Sequence, residues 1–398
     1  MKKALALVLA IVMVLSFAAC GGNEADPGTT PNTPAAEGEK VLKMGGIGPL
    51  TGDYANYGVS VNQGAKLAVE EINAAGGING MKIDLNFQDS QGDPDSAVSA
   101  YGKLIDWGMD ISLSGVFSGE NASITATAAE DDMFLLSASA SADGCIAAND
   151  AAYRVCFYDS FQGVAAADYI KDNNMADKVG VFYQSDIDYS IGLYESFKAE
   201  CAKVGIEIVE EQSFTTDTNT SFETQINALV SSGVKVVFMP IYAAEASTFL
   251  SQAKNGTADA KFGDDVYFFG ADGLDGIVGK VEQAPETANN VLMLTPFAAD
   301  NPDEKVAAFV ANYQKTFGAT PDQFAAGGYD AVYILKALVE NAGITDAAEI
   351  TEAEMIKQIL ALEFTGVTGT MTWTEDGNTQ KAALAIVYKD GVGSIFGV

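Results

Sequence analysis

Residues 41–88 constrain the fold of this chain more than any other stretch. They begin with a short apolar run, VLKM, which leads into a loop rich in glycine, proline and tyrosine. Apolar residues from Val61 to Ile72 then recur at helical spacing, and Gly76-Gly77 predicts the end of that helix because glycine tolerates the left-handed C-cap. A second apolar run, 83–87, alternates as a β-strand does. The stretch predicts a β-α-β unit, whose first loop lies where such sheets bind ligands.

The glycines of this loop do not match the dinucleotide-binding pattern. Gly46-x-Gly48 is followed by Gly52, one residue too far for G-x-G-x-x-G. Pro49 and Tyr54 would also crowd the backbone that a pyrophosphate must approach. The phosphate-binding sequence G-x-x-x-x-G-K-[ST] occurs nowhere in the chain. We therefore expect a ligand other than a nucleotide.

Length and charge narrow the class of protein further. A chain of 398 residues with 48% hydrophobic and 19% charged residues is globular and long enough for two domains. Its formal net charge of −32 argues against nucleic acid or anionic lipid as a direct partner, because phosphate binding needs clustered lysine and arginine. The absence of histidine removes His-based catalytic triads and His-ligated zinc.

The N-terminus has the features of an export signal. Lys2 and Lys3 precede a largely apolar run, 4–17, that is too short to span a bilayer comfortably. Small residues then lead to Cys20, and this resembles a lipoprotein signal, 1–20, in which the cysteine is lipidated and becomes the first mature residue. Ordinary cleavage with Cys20 incidental is the alternative. Residues 21–40 lack large apolar side chains and are expected to form a flexible tether.

Three further cysteines, Cys145, Cys156 and Cys201, have no spacing that suggests a metal site. An exported protein can form disulfides, and a bond between Cys145 and Cys156 would close a short loop. This pairing stays open at the level of sequence. Cys201 lies in a helix-like stretch, where we expect a small buried apolar side chain.

Strand and helix patterns alternate through most of the chain. Asp93-Pro94 predicts the N-cap and first residue of a helix that ends near Trp107. This alternation predicts an α/β fold with parallel sheets covered by helices on both faces. Two strands near the C-terminus, 369–374 and 382–389, are joined by the turn 375–378 and break the alternation. The other expected strands are 111–115, 133–137, 178–183, 206–212, 234–240 and 266–270.

Serines follow two of these strands, at the end where parallel sheets bind ligands. Ser118 comes after 111–115, and Ser137, Ser139 and Ser141 alternate with alanine at the end of the next strand. Hydroxyls beside open backbone N–H groups can bind an anion such as a carboxylate. Helix caps and turns are the structural alternative for the same serines.

Asp272 ends the fully apolar strand 266–270 and lies between an alanine and a glycine. A carboxylate in this position can accept charge-assisted hydrogen bonds from an ammonium group. It could instead cap a helix that starts after Gly276. A hydroxyl cradle and a separate acid would hold the two ends of a zwitterion.

The sequences GPLTGDYANYG and QGAKLAVEEINAAGGING, in register over residues 48–80, resemble the opening of the type I periplasmic binding proteins. The resemblance is closest to the branch that binds leucine, isoleucine and valine for ABC importers. AAGGYDAVYILKALVE (325–340) and FTGVTGTMTWTEDGN (364–378) extend it to about residues 41–390. It implies two Rossmann-like lobes with parallel sheets, joined by three crossovers near 159, 295 and 378. The implied lobes are 41–158 plus 296–377 and 159–295 plus 378–398.

The resemblance also assigns roles to residues. It places a ligand carboxylate at Ser139, Ala140 and Ser141, with another hydroxyl contact at Ser118. It places the ligand amino group at Asp272. Three tyrosines would pack on or close over the ligand, although each could equally be a core or cap residue; they are Tyr57, Tyr189 and Tyr242.

The resemblance implies an extracytoplasmic substrate-binding lipoprotein that captures an amino acid, branched-chain or aliphatic, for an ABC permease and its ATPase subunits. It implies no catalysis, cofactor or metal, and membrane attachment through lipid alone at the outer face of the cytoplasmic membrane. One rival is an enzyme that uses carboxylates such as Asp186, Asp188 or Asp272, which the lack of histidine disfavours. Two further alternatives stay open. The same clamshell could report its ligand to a membrane receptor, or it could carry an amide, urea, an aromatic acid or a nucleoside.

Overall fold

The structure, a computed structural model, describes residues 40–255, 261–282 and 284–396. The expected signal sequence, the lipidation site Cys20 and the tether up to residue 39 lie outside the described residues. None of the helices in the described ranges is both long and apolar enough to cross a membrane.

A five-stranded parallel sheet forms the first lobe, in the order β2-β1-β3-β4-β5. Its strands are β1 (Val41–Gly48), β2 (Lys82–Asp89), β3 (Ile111–Gly115), β4 (Leu135–Ser137) and β5 (Ala152–Arg154). The helices between them are α1 (Ala55–Ala74), α2 (Pro94–Trp107) and α3 (Ser118–Ala128). Every residue of β3, β4 and β5 is buried, as expected for a parallel sheet covered on both faces.

A seven-stranded sheet forms the second lobe, in the order β15-β14-β10-β9-β8-β6-β7. The strands from β6 to β10 pair in parallel, whereas β14 and β15 run antiparallel at one edge. The strands are β6 (Lys178–Gln184), β7 (Glu207–Phe214), β8 (Val236–Met239), β9 (Tyr267–Gly270), β10 (Val291–Thr295), β14 (Leu384–Lys389) and β15 (Val392–Ile395). The helices are α4 (Asp159–Asp172), α5 (Asp188–Val204), α6 (Glu223–Ser231), α7 (Ala243–Asn255) and α8 (Ile277–Lys280).

The C-terminal part of the chain returns to the first lobe before it completes the second sheet. Helix α10 (Gln323–Asn341) packs along α1, and α9 (Glu304–Phe317) and α11 (Glu352–Ala361) flank it. A small antiparallel sheet of β11 (Phe364–Gly366), β12 (Gly369–Trp373) and β13 (Thr379–Gln380) follows. The predicted α/β fold with parallel-dominated sheets is therefore confirmed.

Capping residues in the sequence predicted the bounds of one helix correctly. Helix α2 begins at Pro94 and ends at Trp107, and the Asp93 side chain accepts the backbone N–H of Ser96, so the predicted N-cap is confirmed. The prediction that the turn 375–378 joins strands 369–374 and 382–389 is only partly right. That turn joins β12 to the two-residue strand β13, whereas β14 pairs with β10 in the other sheet.

Candidate functional site

A serine-containing segment, 137–142, folds against the loop between β3 and α3. Ser137 donates to the carbonyl of Gly115 (2.7 Å), and Ser139 donates to the carbonyl of Val116 (2.8 Å). The hydroxyl of Ser118 accepts the backbone N–H groups of Ser141 (3.3 Å) and Ala142 (3.0 Å). Ser118 is therefore a bridge to this segment and not the cap of its own helix, which was the structural alternative.

Arg154 holds the other side of the same segment. This side chain is fully buried, and its Nη1 donates to the carbonyls of Ala140 (3.2 Å), Ser141 (2.6 Å) and Ala142 (3.0 Å). No salt bridge pairs Arg154 with a carboxylate in the described part of the chain. The positive charge of this buried guanidinium, next to the segment, favours the binding of an anion at the segment.

Asp272 lies at the end of β9, only 5% exposed, in the short helical turn Asp272–Leu274. Its Oδ1 accepts the Tyr189 hydroxyl (2.8 Å) and the backbone N–H of Gly273 (2.9 Å). A Cβ on Gly273 would lie 2.4 Å from the Tyr189 hydroxyl, so glycine is needed for this approach. Because Gly276 is the N-cap of α8, Asp272 does not cap that helix. Burial raises the pKa of Asp272 to about 6, although the Tyr189 hydroxyl donates to it.

Asp159 is a second buried carboxylate beside Asp272, at the first position of α4. Its backbone N–H donates to the carbonyl of Ser141 (2.9 Å). Neither of its carboxylate oxygens has a hydrogen-bond partner of normal geometry among the described residues, although the nearby Ser141 hydroxyl partly offsets the rise in its pKa. Burial, and then the negative charge of Asp272, raises the pKa of Asp159 well above its ordinary range. Two acids that oppose each other's ionisation would both be stabilised by a cation placed between them.

The three predicted tyrosines lie together beside these acids. The Tyr57 hydroxyl donates to the carbonyl of Gly273 (2.7 Å) and accepts the N–H of Ala243 (2.9 Å), so it joins the first lobe to two loops of the second. The ring of Tyr242 stacks on Tyr189, with centroids 4.8 Å apart and planes 7° from parallel. It also lies 5.6 Å from the ring of Tyr57. The three tyrosines thus form one cluster, and their contact with a ligand stays a prediction.

The sequence model of the family described as periplasmic binding protein matches residues 41–391, nearly all of the described chain. This chain belongs to the periplasmic binding protein family. The predicted membership of the type I class, in its branched-chain amino acid branch, is confirmed by the relatives and by the solved structures. The family is one of solute-binding proteins and not of enzymes.

One relative and two solved structures illustrate what this chain is similar to. Leu/Ile/Val-binding protein homolog 3 of Brucella melitensis is 29% identical over 90% of this chain and 93% of its own length. The branched-chain amino acid transporter substrate-binding protein LivJ of Streptococcus pneumoniae, solved with isoleucine, is 28% identical, with a TM-score of 0.79 over 89% of this chain and 99% of its own. An R. palustris solute-binding protein solved with benzoate shares the fold at 21% identity, with a TM-score of 0.78 over 90% of this chain and 96% of its own.

Sequence reasoning missed several residues of this binding-protein cleft. Asp159 follows β5 and begins a helix, which is the criterion that selected Asp272, but β5 is only three residues long and was not recognised as a strand. Phe117 and Phe324 pack on Tyr57, with centroids 5.3 Å and 4.9 Å away. Arg154 was missed because nothing in the sequence indicates which carbonyls a buried arginine will bind.

Ala140 is the predicted site residue with the least freedom to bind a ligand. Its N–H donates to the Ser137 hydroxyl (2.9 Å), and its carbonyl accepts from Arg154. The thiols of Cys145 and Cys156 also donate to that carbonyl oxygen, at 3.5 and 3.4 Å. Both cysteines are free, so the structure does not contain the disulfide that the sequence left open.

Proposed function

We propose that this protein captures an α-amino acid in the cleft between its lobes and delivers it to an ABC permease. The observation that carries the proposal is the pair of buried carboxylates, with the oxygens of Asp159 unpartnered beside Asp272. An ammonium group supplies both the opposite charge and the hydrogen-bond donors that this pair lacks. The role is one of binding, without catalysis.

The other end of the ligand would meet the serine-containing segment. We propose that Ser118 and Ser141 present hydroxyls to the ligand carboxylate, with Arg154 as a fixed positive charge next to them. Ser139, whose hydroxyl donates to the Val116 carbonyl, would reach the ligand through the backbone of the segment. Ala140 contributes through the shape of the segment. An aromatic acid would use the serines alone and leave two buried acids unbalanced, which favours an amino acid over the benzoate-like alternative.

Closure would convert binding into a signal for the transporter. Tyr57 bonds Gly273 and Ala243 across the cleft, and a ligand that contacts both lobes stabilises the arrangement in which these bonds exist. We propose lobes of 41–158 plus 296–377 and 159–295 plus 378–398. Two features support this division: α4 starts at Asp159, and β10 ends at Thr295 in the second sheet.

The proposal places the protein outside the cytoplasm, held to the outer face of the membrane by a lipid on Cys20. A permease and ATPase subunits would be its partners. Replacement of Cys20 by alanine should release the protein from the membrane fraction, and retention there would contradict lipidation. A clamshell that signals to a receptor remains the second candidate, and adjacent permease and ATPase genes would separate the two.

The test uses the chain from residue 41, stripped of ligand by unfolding and refolding. Thermal unfolding is followed with the twenty amino acids, branched-chain members first. A ligand at 100 times its Kd should stabilise the protein by about 2.7 kcal/mol. Leucine is then compared with 4-methylpentanoate, which lacks the amino group, and with 3-methylbutylamine, which lacks the carboxylate. We expect only the zwitterion to bind; equal binding of 4-methylpentanoate would remove the acid pair from the site.

A further inference from the structure

A cavity opens beside the cluster of tyrosines. It has a volume of about 350 Å³ and lies between the lobes. The first lobe contributes Ser118 and Glu120 to its wall, and the second contributes Gln184, Asp186, Tyr189 and Tyr242. We call this space the outer chamber.

The outer chamber adjoins the proposed amino-acid site, because Tyr189 and Ser118 take part in both. Tyr189 donates its hydroxyl to Asp272 and also lines the outer chamber. Ser118 bonds the serine-containing segment and lies in the wall of the same chamber. A ligand whose ammonium and carboxylate occupy the inner site can therefore extend its side chain into this space.

The far wall of the outer chamber offers hydrogen-bond acceptors. Gln184 is 3% exposed, and its Nε2 donates to the Thr216 hydroxyl (3.0 Å). Within the described ranges its Oε1 receives no hydrogen bond, which is costly for a buried acceptor. Asp186 lies on the same wall and accepts the backbone N–H of Thr216 (2.8 Å).

The wall that the first lobe contributes also offers a hydrogen-bond acceptor. Glu120 is 1% exposed and accepts from the Ser90 hydroxyl (2.6 Å) and from the backbone N–H of Phe117 (3.2 Å). The rings of Tyr54, Phe117 and Tyr242 supply the apolar surface between the walls. No lysine or arginine is among the described residues that line the chamber. The described lining of the chamber thus combines aromatic rings with hydrogen-bond acceptors and contains no cation.

We propose that the ligand is an α-amino acid whose side chain is a methylene stem that ends in an N–H donor, such as an amide, ammonium or guanidinium group. The stem packs on the aromatic rings, and the terminal donor reaches Gln184 and Asp186. This inference rests on the proposed amino-acid function and names the side chain within it. An aliphatic side chain would contact the aromatic rings and leave the Gln184 oxygen unpartnered.

Calorimetric titration of the ligand-free chain tests this with lysine against norleucine, which is lysine without its terminal ammonium. Glutamine and arginine are the amide and guanidinium arms, and leucine is the branched reference. We expect at least one donor-terminated amino acid to bind about tenfold or more tighter than norleucine, because a buried acceptor discriminates against a ligand that cannot pair with it. Norleucine or leucine binding as tightly as all three donors would overturn the inference and leave the proposed function standing. Binding of no amino acid would overturn both.

Two variants locate the terminal group. Gln184→Leu and Asp186→Asn should each lower affinity for the preferred donor-terminated amino acid while norleucine affinity changes less than about twofold. Asp217→Asn is the control, because Asp217 is exposed on the adjacent turn and does not line the chamber. An equal loss for both ligands in the two variants would place the donor elsewhere and overturn the assignment.

Discussion

Two buried carboxyl groups dominate the chemistry of the cleft at the scale of single residues. Asp272 receives hydrogen bonds from Tyr189 and Gly273, whereas Asp159 receives none of normal geometry from the residues that the structure describes. Burial makes ionisation of both costly, and the negative charge of Asp272 further opposes ionisation of Asp159. A bound ammonium reverses both effects, so the same pair that is unfavourable in the empty cleft becomes the source of affinity.

Asp272→Asn should weaken amino-acid binding and leave the fold intact. The amide keeps the shape but loses the charge, and charge-assisted hydrogen bonds contribute about 1.5–3 kcal/mol, or about 10- to 150-fold in Kd. Calorimetry gives the affinity, and thermal unfolding without ligand reports the fold. Asp217→Asn is the matched control on an exposed turn. Unchanged affinity in Asp272→Asn would exclude this residue from the site.

Affinity should fall as the pH is lowered through about 6. In the ligand-free protein the pKa of Asp272 is about 6 and that of Asp159 is also raised, whereas ammonium binding requires ionised carboxylates. Each proton that must leave costs about a factor of ten in affinity per pH unit.

The stability of the ligand-free protein should instead rise as the pH is lowered. A raised carboxyl pKa means that the folded state binds more protons than the unfolded state, so this contribution is present at low pH and is lost between about pH 4 and 6.

Titration of the ligand at pH 7.5, 6 and 5 checks the affinity, and thermal unfolding of the empty protein checks the stability. In Asp272→Asn the loss of affinity on acidification should be smaller. A pH-independent Kd in the unmodified protein would contradict the ammonium–carboxylate contact.

At the scale of elements, the site depends on loops that leave neighbouring strands at the same sheet edge. The loop before α3 and the segment after β4 are tied through Ser118, and Arg154 at the end of β5 fixes the carbonyls behind them. The alternation of strands and helices predicted that ligands bind at this edge. It therefore also selected the loop residues that follow the strands, namely Ser118, Ser139, Ser141 and Asp272. It did not predict Asp159, because β5 is too short to produce a recognisable apolar run.

Ser118→Ala should destabilise the segment that it bridges. The N–H groups of Ser141 and Ala142 would lose their acceptor, and a buried unpaired polar group costs about 1–3 kcal/mol. We expect a lower free energy of unfolding in urea and weaker amino-acid binding. Ser123→Ala, in the same helix, is the control. If Ser118→Ala changed neither quantity more than the control, the bridge would have no energetic role.

At the scale of the whole molecule, the chain crosses between two sheets, and the C-terminal strands complete the second sheet after the chain has returned to the first. Periodicity identified most of the parallel strands but not which sheet each joins, since pairing between β10 and β14 links residues about 90 positions apart. The resemblance of residues 41–88 to a known family supplied the two-lobed arrangement. The bonds of Tyr57 across the cleft are a property of the closed arrangement, and sequence gives no direct sign of them.

Tyr57→Phe should favour the open arrangement. The carbonyl of Gly273 and the N–H of Ala243 would lose their shared partner, a change of about 1–2 kcal/mol, or about five- to thirtyfold in affinity. Calorimetry and the radius of gyration from small-angle X-ray scattering with ligand measure the effect. Tyr101→Phe is the control, because that hydroxyl bonds Asp131 within the first lobe. Equal ligand affinity in Tyr57→Phe and Tyr101→Phe would show that closure does not depend on the hydrogen bonds of Tyr57.

The central claim concerns where the two charges of the ligand lie, and a crystal structure with a bound amino acid tests it most directly. We predict the ligand nitrogen within hydrogen-bonding distance of the Asp159 and Asp272 carboxylates. We predict its carboxylate at Ser118 and the serine-containing segment, in front of Arg154. A ligand bound in the reverse orientation, or a ligand nitrogen that contacts neither acid, would contradict the account.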